Sequence, residues 1–286
     1  MHVSHRDLMK RLIQLRLVLA LVVLALSSQV LLHAGVTVYP TEVFVKPPNR
    51  SAPVVVSNPA DADVEVWVTF EYTYPVGFDT GSVIFAAPVA DDLDEPSAAR
   101  WIRAIPQRFT LKAQESQVVR IYGTPPPGTR SGEYWARIVV SSKERRAAPA
   151  PGDQPGMGME LVTQTIVPFH FRSGPTTSGI NIREATAFPV GNALRLFVTL
   201  DRMGNASFWG RLTARLISPE GRPVLAKEYR IVTYKSFYYR TDIDVSGQPP
   251  GQYTLELLFD NKHPGLKPEF RIPGAPVVHR IPVVIP

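Results

Sequence analysis

The stretch ELVTQTIVPFHFR, residues 160–172, follows directly on Met157-Gly-Met159 and decides the fold of this chain. Its apolar, β-branched or aromatic residues fall on every second position: Met157, Met159, Leu161, Thr163, Thr165, Val167, Phe169 and Phe171. A period of two is the spacing of one face of a β-strand, so the pattern predicts a strand of about fifteen residues with one apolar face. A strand of this length is longer than a small β-sandwich needs to close its own sheet. The surplus favours an edge that pairs with another chain, and therefore a binding function over a catalytic one.

The first 34 residues have the pattern of a secretory signal peptide. Four basic residues precede the apolar run Leu17–Leu26, and Leu32–Ala34 offers a cleavage site before Gly35. An uncleaved anchor is the alternative, because the whole apolar stretch is almost long enough to span a bilayer. Polar residues at 27–29 and at His33 weaken that alternative. The sequence thus predicts export, with membrane attachment only if the signal stays in place.

Charge and cysteine content exclude several classes of function. Residues 1–34 hold four basic residues and one acidic residue, so their removal lowers the net charge from +6 to +3. The remaining chain is only mildly basic. Its sequence has no concentrated group of basic residues of the kind that binds nucleic acid. The chain has no cysteine, which excludes thiol catalysis, zinc sites built on cysteine and iron–sulfur clusters. An exported chain without disulfides has to be stabilised by burial of its core.

The rest of the chain reads as two all-β domains. Short runs of Val, Ile, Thr, Phe and Tyr alternate with turn residues, 28 prolines are spread along the chain, and no helical periodicity is sustained. A small, polar, glycine-punctuated segment at 174–179 separates two sets of about seven such runs. We therefore expect two immunoglobulin-like β-sandwiches in tandem, over residues 35–173 and 180–286.

The strands are expected at positions that the apolar runs define. In the first domain they are Val36–Val45, Pro53–Ser57, Val64–Tyr74, Arg108–Leu111, Ser116–Tyr122, Glu133–Ser141 and Met157–Arg172. In the second domain they are Ile180–Ala187, Ala193–Leu200, Gly210–Ile217, Pro223–Ile231, Ser236–Val245, Gln252–Asp260 and Val277–Ile285.

The first domain resembles the amino-terminal domain of periplasmic pilus-assembly chaperones, the PapD-like family, whereas the second is only generically similar. Five segments follow one another in family order with natural spacing. They are Val36–Phe44, Val54–Asn58, Pro106–Lys112 with Ser116–Ile121, Glu133–Ile138, and Gln164–Arg172.

The resemblance implies a periplasmic chaperone that is not an enzyme and needs no cofactor. Such a protein lends its last strand to a secreted pilin-like subunit that lacks one, and main-chain hydrogen bonds with alternate side chains supply affinity and specificity. Carried over by position, Met157, Met159, Leu161 and Thr163 would fill the subunit's groove, within a strand-addition segment that extends to Thr165. Methionine suits a surface that fits several partners. An outer-membrane usher is a further partner that the resemblance admits; a small-molecule substrate is not expected.

Two positions depart from the family pattern. The family anchors the subunit's terminal carboxylate with an arginine on the first strand and a lysine near the end of the last, where this chain has Glu42 and Pro168. A carboxylate repels a carboxylate and proline has no donor, so this anchor is expected to be absent. Arg120, Arg137 and Arg172 are the candidate replacements. The departure also motivates the alternative function, a structural or adhesive envelope protein built from immunoglobulin-like modules.

Other candidate sites receive less support. His170, His263 and His279 are isolated in sequence and lack metal-binding spacing. The acidic cluster Asp91–Glu95 lacks the features of a calcium-binding loop and is expected to be solvated. No nucleophile elbow, P-loop or dinucleotide fingerprint occurs. The aromatic run Tyr234–Tyr239 is the runner-up as an exposed recognition surface.

Overall fold

The computed structural model describes residues 35–86, 96–144 and 160–286, and within these ranges the chain is all β. They contain eighteen strands, one short 3₁₀ helix and no α-helix. The first eleven strands are β1 (Thr37–Tyr39), β2 (Val43–Val45), β3 (Ser51–Ser57), β4 (Val64–Glu71), β5 (Tyr74–Gly77), β6 (Val83–Ala86), β7 (Ile102–Ile105), β8 (Arg108–Leu111), β9 (Ser116–Gly123), β10 (Gly132–Glu144) and β11 (Val162–Ser173). The others are β12 (Ser178–Val190), β13 (Ala193–Gly204), β14 (Phe208–Ile217), β15 (Pro223–Thr233), β16 (Ser236–Asp244), β17 (Gly251–Asp260) and β18 (Val277–Ile285), with the 3₁₀ helix Pro268–Phe270 before β18.

Strands β1–β11 build an amino-terminal sandwich. One sheet has the order β1-β3-β9-β7 and the other the order β2-β11-β10-β4-β8, while β5 and β6 pair as a separate hairpin. The inward-facing residues of both sheets form one buried cluster that includes Val56, Val66, Ile121, Ile138 and Phe169. Alternate residues of each strand thus fill the core, as the period-two pattern requires.

Strands β12–β18 build a carboxy-terminal sandwich with its own core. Its sheets have the orders β12-β13-β16 and β15-β14-β17-β18. Leu194, Leu196, Val198 and Leu200 alternate along β13 and are almost completely buried. The two separate clusters confirm the predicted fold class of two β-sandwiches.

Most predicted strands lie where the apolar runs placed them, with four differences. The strand expected at Met157–Arg172 begins only at Val162, so Glu160 and Leu161 lie before it. The run Val36–Val45 is not one strand: its first part, β1, pairs with β3 and its second part, β2, pairs with β11 in the opposite sheet. The hairpin β5–β6 and the short strand β7 were not predicted, because four-residue strands give too little alternation to recognise. Within the described residues, no helix has the length and apolar character required to cross a membrane.

The two sandwiches contact each other directly. The Glu133 amide donates to the Asn205 carbonyl at 2.8 Å, and the Asn205 side chain donates to the Ser131 carbonyl at 3.1 Å. A small apolar cluster joins Phe44 of the first sandwich to Trp209 and Leu266 of the second. Polar bonds and aromatic packing therefore both connect the two halves.

Candidate functional site

Strand β11 is paired along its whole length on one side and along only three residues on the other. Its antiparallel partner β10 matches it from Val162 to Ser173. Its parallel partner β2 matches only Phe169–Phe171. From Val162 to Pro168, no strand of the described residues pairs with the second edge of β11. An edge of this kind presents main-chain donors and acceptors to another extended chain.

The core-facing row of β11 extends beyond the core it belongs to. Phe169 and Phe171 are fully buried and Val167 is 2% exposed. Thr165 and Thr163 are half-buried, and Leu161 is 65% exposed. The apolar spacing therefore continues beyond the strand to Leu161, which directly precedes β11 and is largely exposed.

Thr163 and Thr165 of this row contact Gly35 and Val36, the two residues that precede β1. Thr165 donates its hydroxyl to the Val36 carbonyl at 3.2 Å. A Cβ at Gly35 would lie 2.6 Å from Thr163 Cγ2, so the backbones approach closely there. Thr163 and Thr165 are thus partly covered, and the exposed end of the row begins at Leu161.

Residues of the opposite face of β11 divide into an exposed and a buried group. Val162 and Ile166 are 43% and 45% exposed, whereas His170 and Arg172 are buried where the second sandwich packs. The open half of β11 is therefore exposed to solvent on this face and partly covered on the core-facing one, and its last third is fixed between the sandwiches. Met157 and Met159 lie outside the described residues, so their part in the site stays a prediction.

Glu42 and Pro168, the two positions that differ from the expected anchor residues, lie side by side in the structure. Because Val43 pairs with Phe169, the parallel register places Glu42 beside Pro168, one residue earlier. Glu42 is half-buried and accepts a hydrogen bond from Thr41 Oγ1 at 2.7 Å. It lines a cleft of about 590 Å³ between the sandwiches, whose walls include Phe44, Trp209 and His263. The cleft therefore has a carboxylate at the position where the sequence resemblance implied a cation.

None of the three candidate replacement cations reaches this cleft. Arg120 is exposed on β9, in the other sheet. Arg137 lies opposite Pro168 on β10 but donates to the Thr73 carbonyl at 3.2 Å. Arg172 is held by Glu133. Two other cationic residues, Arg230 and Lys267, line the cleft from the second sandwich.

A buried polar network at the junction of the sandwiches was not anticipated. Glu133 is fully buried; its Oε2 accepts from Arg172 Nε at 2.8 Å and its Oε1 is 3.1 Å from His170 Nδ1. The Ser207 hydroxyl and amide of the second sandwich also donate to Oε1. Burial by itself raises the pKa of Glu133, but His170, Arg172 and Ser207 more than offset it and lower that pKa to about 2. Glu133 is therefore an anion that links the two sandwiches.

His170 is neutral in this network and carries its proton on Nδ1. Burial lowers the pKa of His170, although Glu133 opposes that shift. Because a carboxylate only accepts, Nδ1 donates to Glu133, and Nε2 accepts from the Tyr234 hydroxyl at 3.1 Å. Phe44 stacks on the imidazole with a centroid distance of 4.4 Å. The ring is thus a structural link with both nitrogens engaged.

Tyr234 corrects the expectation of an exposed aromatic surface at Tyr234–Tyr239. Its side chain is 3% exposed, because it packs against Trp135 and bonds to His170 at the junction. Tyr238, in contrast, is 42% exposed. No local sequence pattern indicates the network, because Glu133, Ser207 and Tyr234 lie far apart along the chain. Within the described residues, no group of His, Asp or Glu side chains has the arrangement of a metal site.

Comparisons with known proteins found likeness only at the level of solved structures. No protein-family model and no curated protein matches the sequence. A structure titled as a chaperone–tip adhesin complex of CFA/I fimbriae biogenesis is 12% identical, with a TM-score of 0.42, and covers 86% of this chain and 98% of that one. The SafB chaperone complex with SafA pilin from Salmonella enterica is 14% identical, with a TM-score of 0.40, over 86% and 96%.

The CupB2 chaperone of Pseudomonas aeruginosa is a third similar structure. It is 12% identical, with a TM-score of 0.42, over 85% of this chain and 98% of that one. Because likeness this distant transfers no activity, we take the function from the geometry of the chain itself.

Proposed function

We propose that this chain is a periplasmic chaperone-like protein that captures incompletely folded, secreted β-sandwich subunits of the pilin type by strand addition. The observation that carries the proposal is the half-open edge of β11, where the core-facing row runs on to the exposed Leu161. A subunit strand would pair with this edge, and the row from Met157 to Thr165 would enter the subunit's groove. Neither step requires a cofactor or a catalytic group.

In this mechanism one part of β11 packs in the core of the sandwich and the other part binds the partner strand. Residues Val167, Phe169 and Phe171 fix β11 in the sandwich core, so the open half is held extended before the partner arrives. A pre-ordered strand loses less conformational entropy on binding than a flexible one. The main chain then supplies sequence-independent affinity, while the outer side-chain row selects which grooves fit.

A structural or adhesive envelope protein is the second candidate, and Glu42 is the observation that favours it. A carboxylate in the interdomain cleft, beside Pro168, removes the site that would hold a subunit's terminal carboxylate. In that case the open edge of β11 would serve assembly between copies or with other envelope proteins. An usher is a partner only under the first candidate.

Matched substitutions on neighbouring residues test the proposal. Leu161→Asp places a charge on the groove-directed row, and Val162→Asp places the same charge on the opposite, similarly solvent-exposed face. Each variant is co-expressed in the periplasm with a pilin-type subunit that lacks a strand, and the complex is quantified by size-exclusion chromatography. We expect at least tenfold loss of complex for Leu161→Asp and near-normal complex for Val162→Asp. Equal complex formation by Leu161→Asp and the unchanged chain would contradict strand addition.

A further inference from the structure

The open half of β11, from Val162 to Pro168, is an uncharged stretch of strand. Its sequence is VTQTIVP, so no side chain of this stretch can neutralise an ionised residue of a strand that pairs with it. Adding a strand removes water from the paired edge, and a charge taken out of water without a counter-ion is unfavourable. The middle of this edge therefore fits an uncharged segment.

Ionised side chains lie at both ends of this stretch. At the first end, Lys143 of β10 pairs in register with Val162. Its ammonium is 3.0 Å from the Glu160 carboxylate and 3.5 Å from that of Glu65. At the other end, Glu42 lines the cleft between the sandwiches. A charged residue of a partner is thus tolerated at the ends of the open half but not in its middle.

On the outward face of the open half, the one turned away from the core, Ile166 differs from Val162 and Gln164. Gln164 turns toward β10, where its amide donates to the Ser141 hydroxyl at 3.4 Å. Val162 lies next to the charged group at Lys143. Ile166 is 45% exposed, and within the described residues no strand pairs with its open edge. Ile166 is therefore the position at which this face can add apolar contact to a captured strand.

Ile166 continues a row of the outward face that already buries an apolar side chain. Its partner on β10 is Val139, which is 1% exposed. Val139 points away from the core, because its neighbours Ile138 and Val140 belong to the core cluster. Residues directly opposite each other on adjacent strands have Cβ atoms about 5 Å apart on the same face. A strand added to the open edge therefore places one residue beside Ile166, as β10 places Val139.

We propose that Ile166 is a specificity-determining residue of the open edge, and that the captured strand is an uncharged segment with an apolar residue beside Ile166. This inference rests on the proposed strand addition and names the chemistry of the segment that is added. The row that ends at Leu161 contacts one face of the partner, and Ile166 contacts the other. A strand with a purely polar outward face, as on the surface of a folded sandwich, is thereby disfavoured.

Two matched threonine variants test the proposal. Ile166→Thr and Val162→Thr each remove apolar surface from the outward face at similar exposure, and both keep a β-branched residue. The dissociation rate of the purified complex with the strand-lacking pilin-type subunit is measured. We expect the Ile166→Thr complex to dissociate roughly threefold to tenfold faster than the unchanged one, and the Val162→Thr complex less than about twofold faster. Equal rates for the two variants would overturn the proposal.

Leu161→Asp separates this inference from the proposed function. If Leu161→Asp abolishes the complex and Ile166→Thr does not weaken it, strand addition stands and the role of Ile166 is wrong. If Leu161→Asp leaves the complex intact, strand addition fails and this inference fails with it.

Photo-crosslinking identifies the residue that lies beside Ile166 directly. A photoreactive benzoylphenylalanine replaces Ile166, the complex with the same subunit is irradiated, and mass spectrometry locates the crosslink. We expect an apolar subunit residue within an uncharged segment. A crosslink to a charged residue, or none to the subunit, overturns the proposal. A crosslink between two copies of the chain without subunit would make a second copy the occupant, which also overturns it.

Discussion

Glu133 and Arg172 form a buried ion pair, with Oε2 and Nε 2.8 Å apart, at the point where the two sandwiches meet. The carboxylate is fully buried and the guanidinium is 7% exposed. Ser207 of the second sandwich bonds to the same carboxylate, and Arg172 donates to the Phe270 carbonyl. One pair of residues in the first sandwich therefore holds two separate segments of the second.

Glu133→Gln is expected to destabilise the protein strongly, because it leaves Arg172 buried without its counter-ion. Loss of one partner of a buried pair costs about 3–5 kcal/mol. The control is Asp242→Asn, which breaks the more exposed pair of Arg195 with Asp242 and should cost far less, because water and salt screen an exposed pair. Urea unfolding measures both. A cost for Glu133→Gln no greater than the control's would show that the junction does not depend on this pair.

Acid is expected to destabilise the junction in two steps. The folded-state pKa of His170 is lowered, so the unfolded chain binds its proton first and stability falls as the pH drops below about 6.5. The folded-state pKa of Glu133 is about 2, against an ordinary value of 4.5, so the stability that its ionised form contributes is lost as the pH falls between those values. Arg137, Arg172 and the Tyr234 hydroxyl also face this pair.

His170→Gln separates the two steps of this prediction. Glutamine does not titrate near neutral pH, so the unfolding free energy of the variant should decline less between pH 7 and pH 5 than that of the unchanged chain. A smaller decline should remain, because burial also lowers the pKa of His263. The loss below pH 4.5 should remain but be smaller, because Arg172 and Ser207 still lower the pKa of Glu133 whereas the contribution of His170 is gone. Unfolding curves at a series of pH values provide the measurement, and parallel declines in both proteins between pH 7 and pH 5 would speak against a role for His170.

Truncations along the β11 row are expected to differ sharply in their effect on stability. Phe169→Ala removes a fully buried ring and should cost about 3–5 kcal/mol. Leu161→Ala, on the same row but 65% exposed, should change stability by about 0.5 kcal/mol or less. Denaturant unfolding compares them. A large cost at Leu161 would mean that the end of the row is packed and not available to a partner.

Amide hydrogen exchange should distinguish the two halves of β11. In the half from Val162 to Val167, only the amides directed at β10 are bonded, so protection should alternate from residue to residue. At Phe169–Phe171, strands lie on both sides and protection should be continuous. Exchange followed by NMR tests this, and addition of a captured subunit should protect the open amides. Uniform protection of Val162–Val167 in the free chain would leave no edge for strand addition.

Much of the fold could be predicted because it depends on local alternation. Phe169, Phe171, Leu194 and Leu196 all face a core as their spacing requires, since side chains of an extended strand alternate whatever the partner strand is. The division of Val36–Val45 into β1 and β2 was missed, because each half has strand character and only the pairing partner differs. Short strands such as β7 gave too few positions to establish a period.

The candidate site was predicted less completely, for a related reason. The alternation picked out Leu161 and Thr163 but did not reveal that Thr163 packs against Gly35 whereas Leu161 is exposed. The sequence pattern indicates an isolated histidine at His170 and a surface cluster that includes Tyr234. Their contact joins residues 64 positions apart, and neither position carries a local sign of it.

The sequence by itself determined that this chain forms extended strands with one apolar face and that its longest row is on β11. Side-chain alternation is a property of the backbone and needs no distant partner. Only the tertiary structure decided which part of β11 stays open and that Glu133, His170 and Arg172 bind the sandwiches together. Strand pairing and burial depend on segments far away in the chain, so the physical state of each of these residues is set by its neighbours in space.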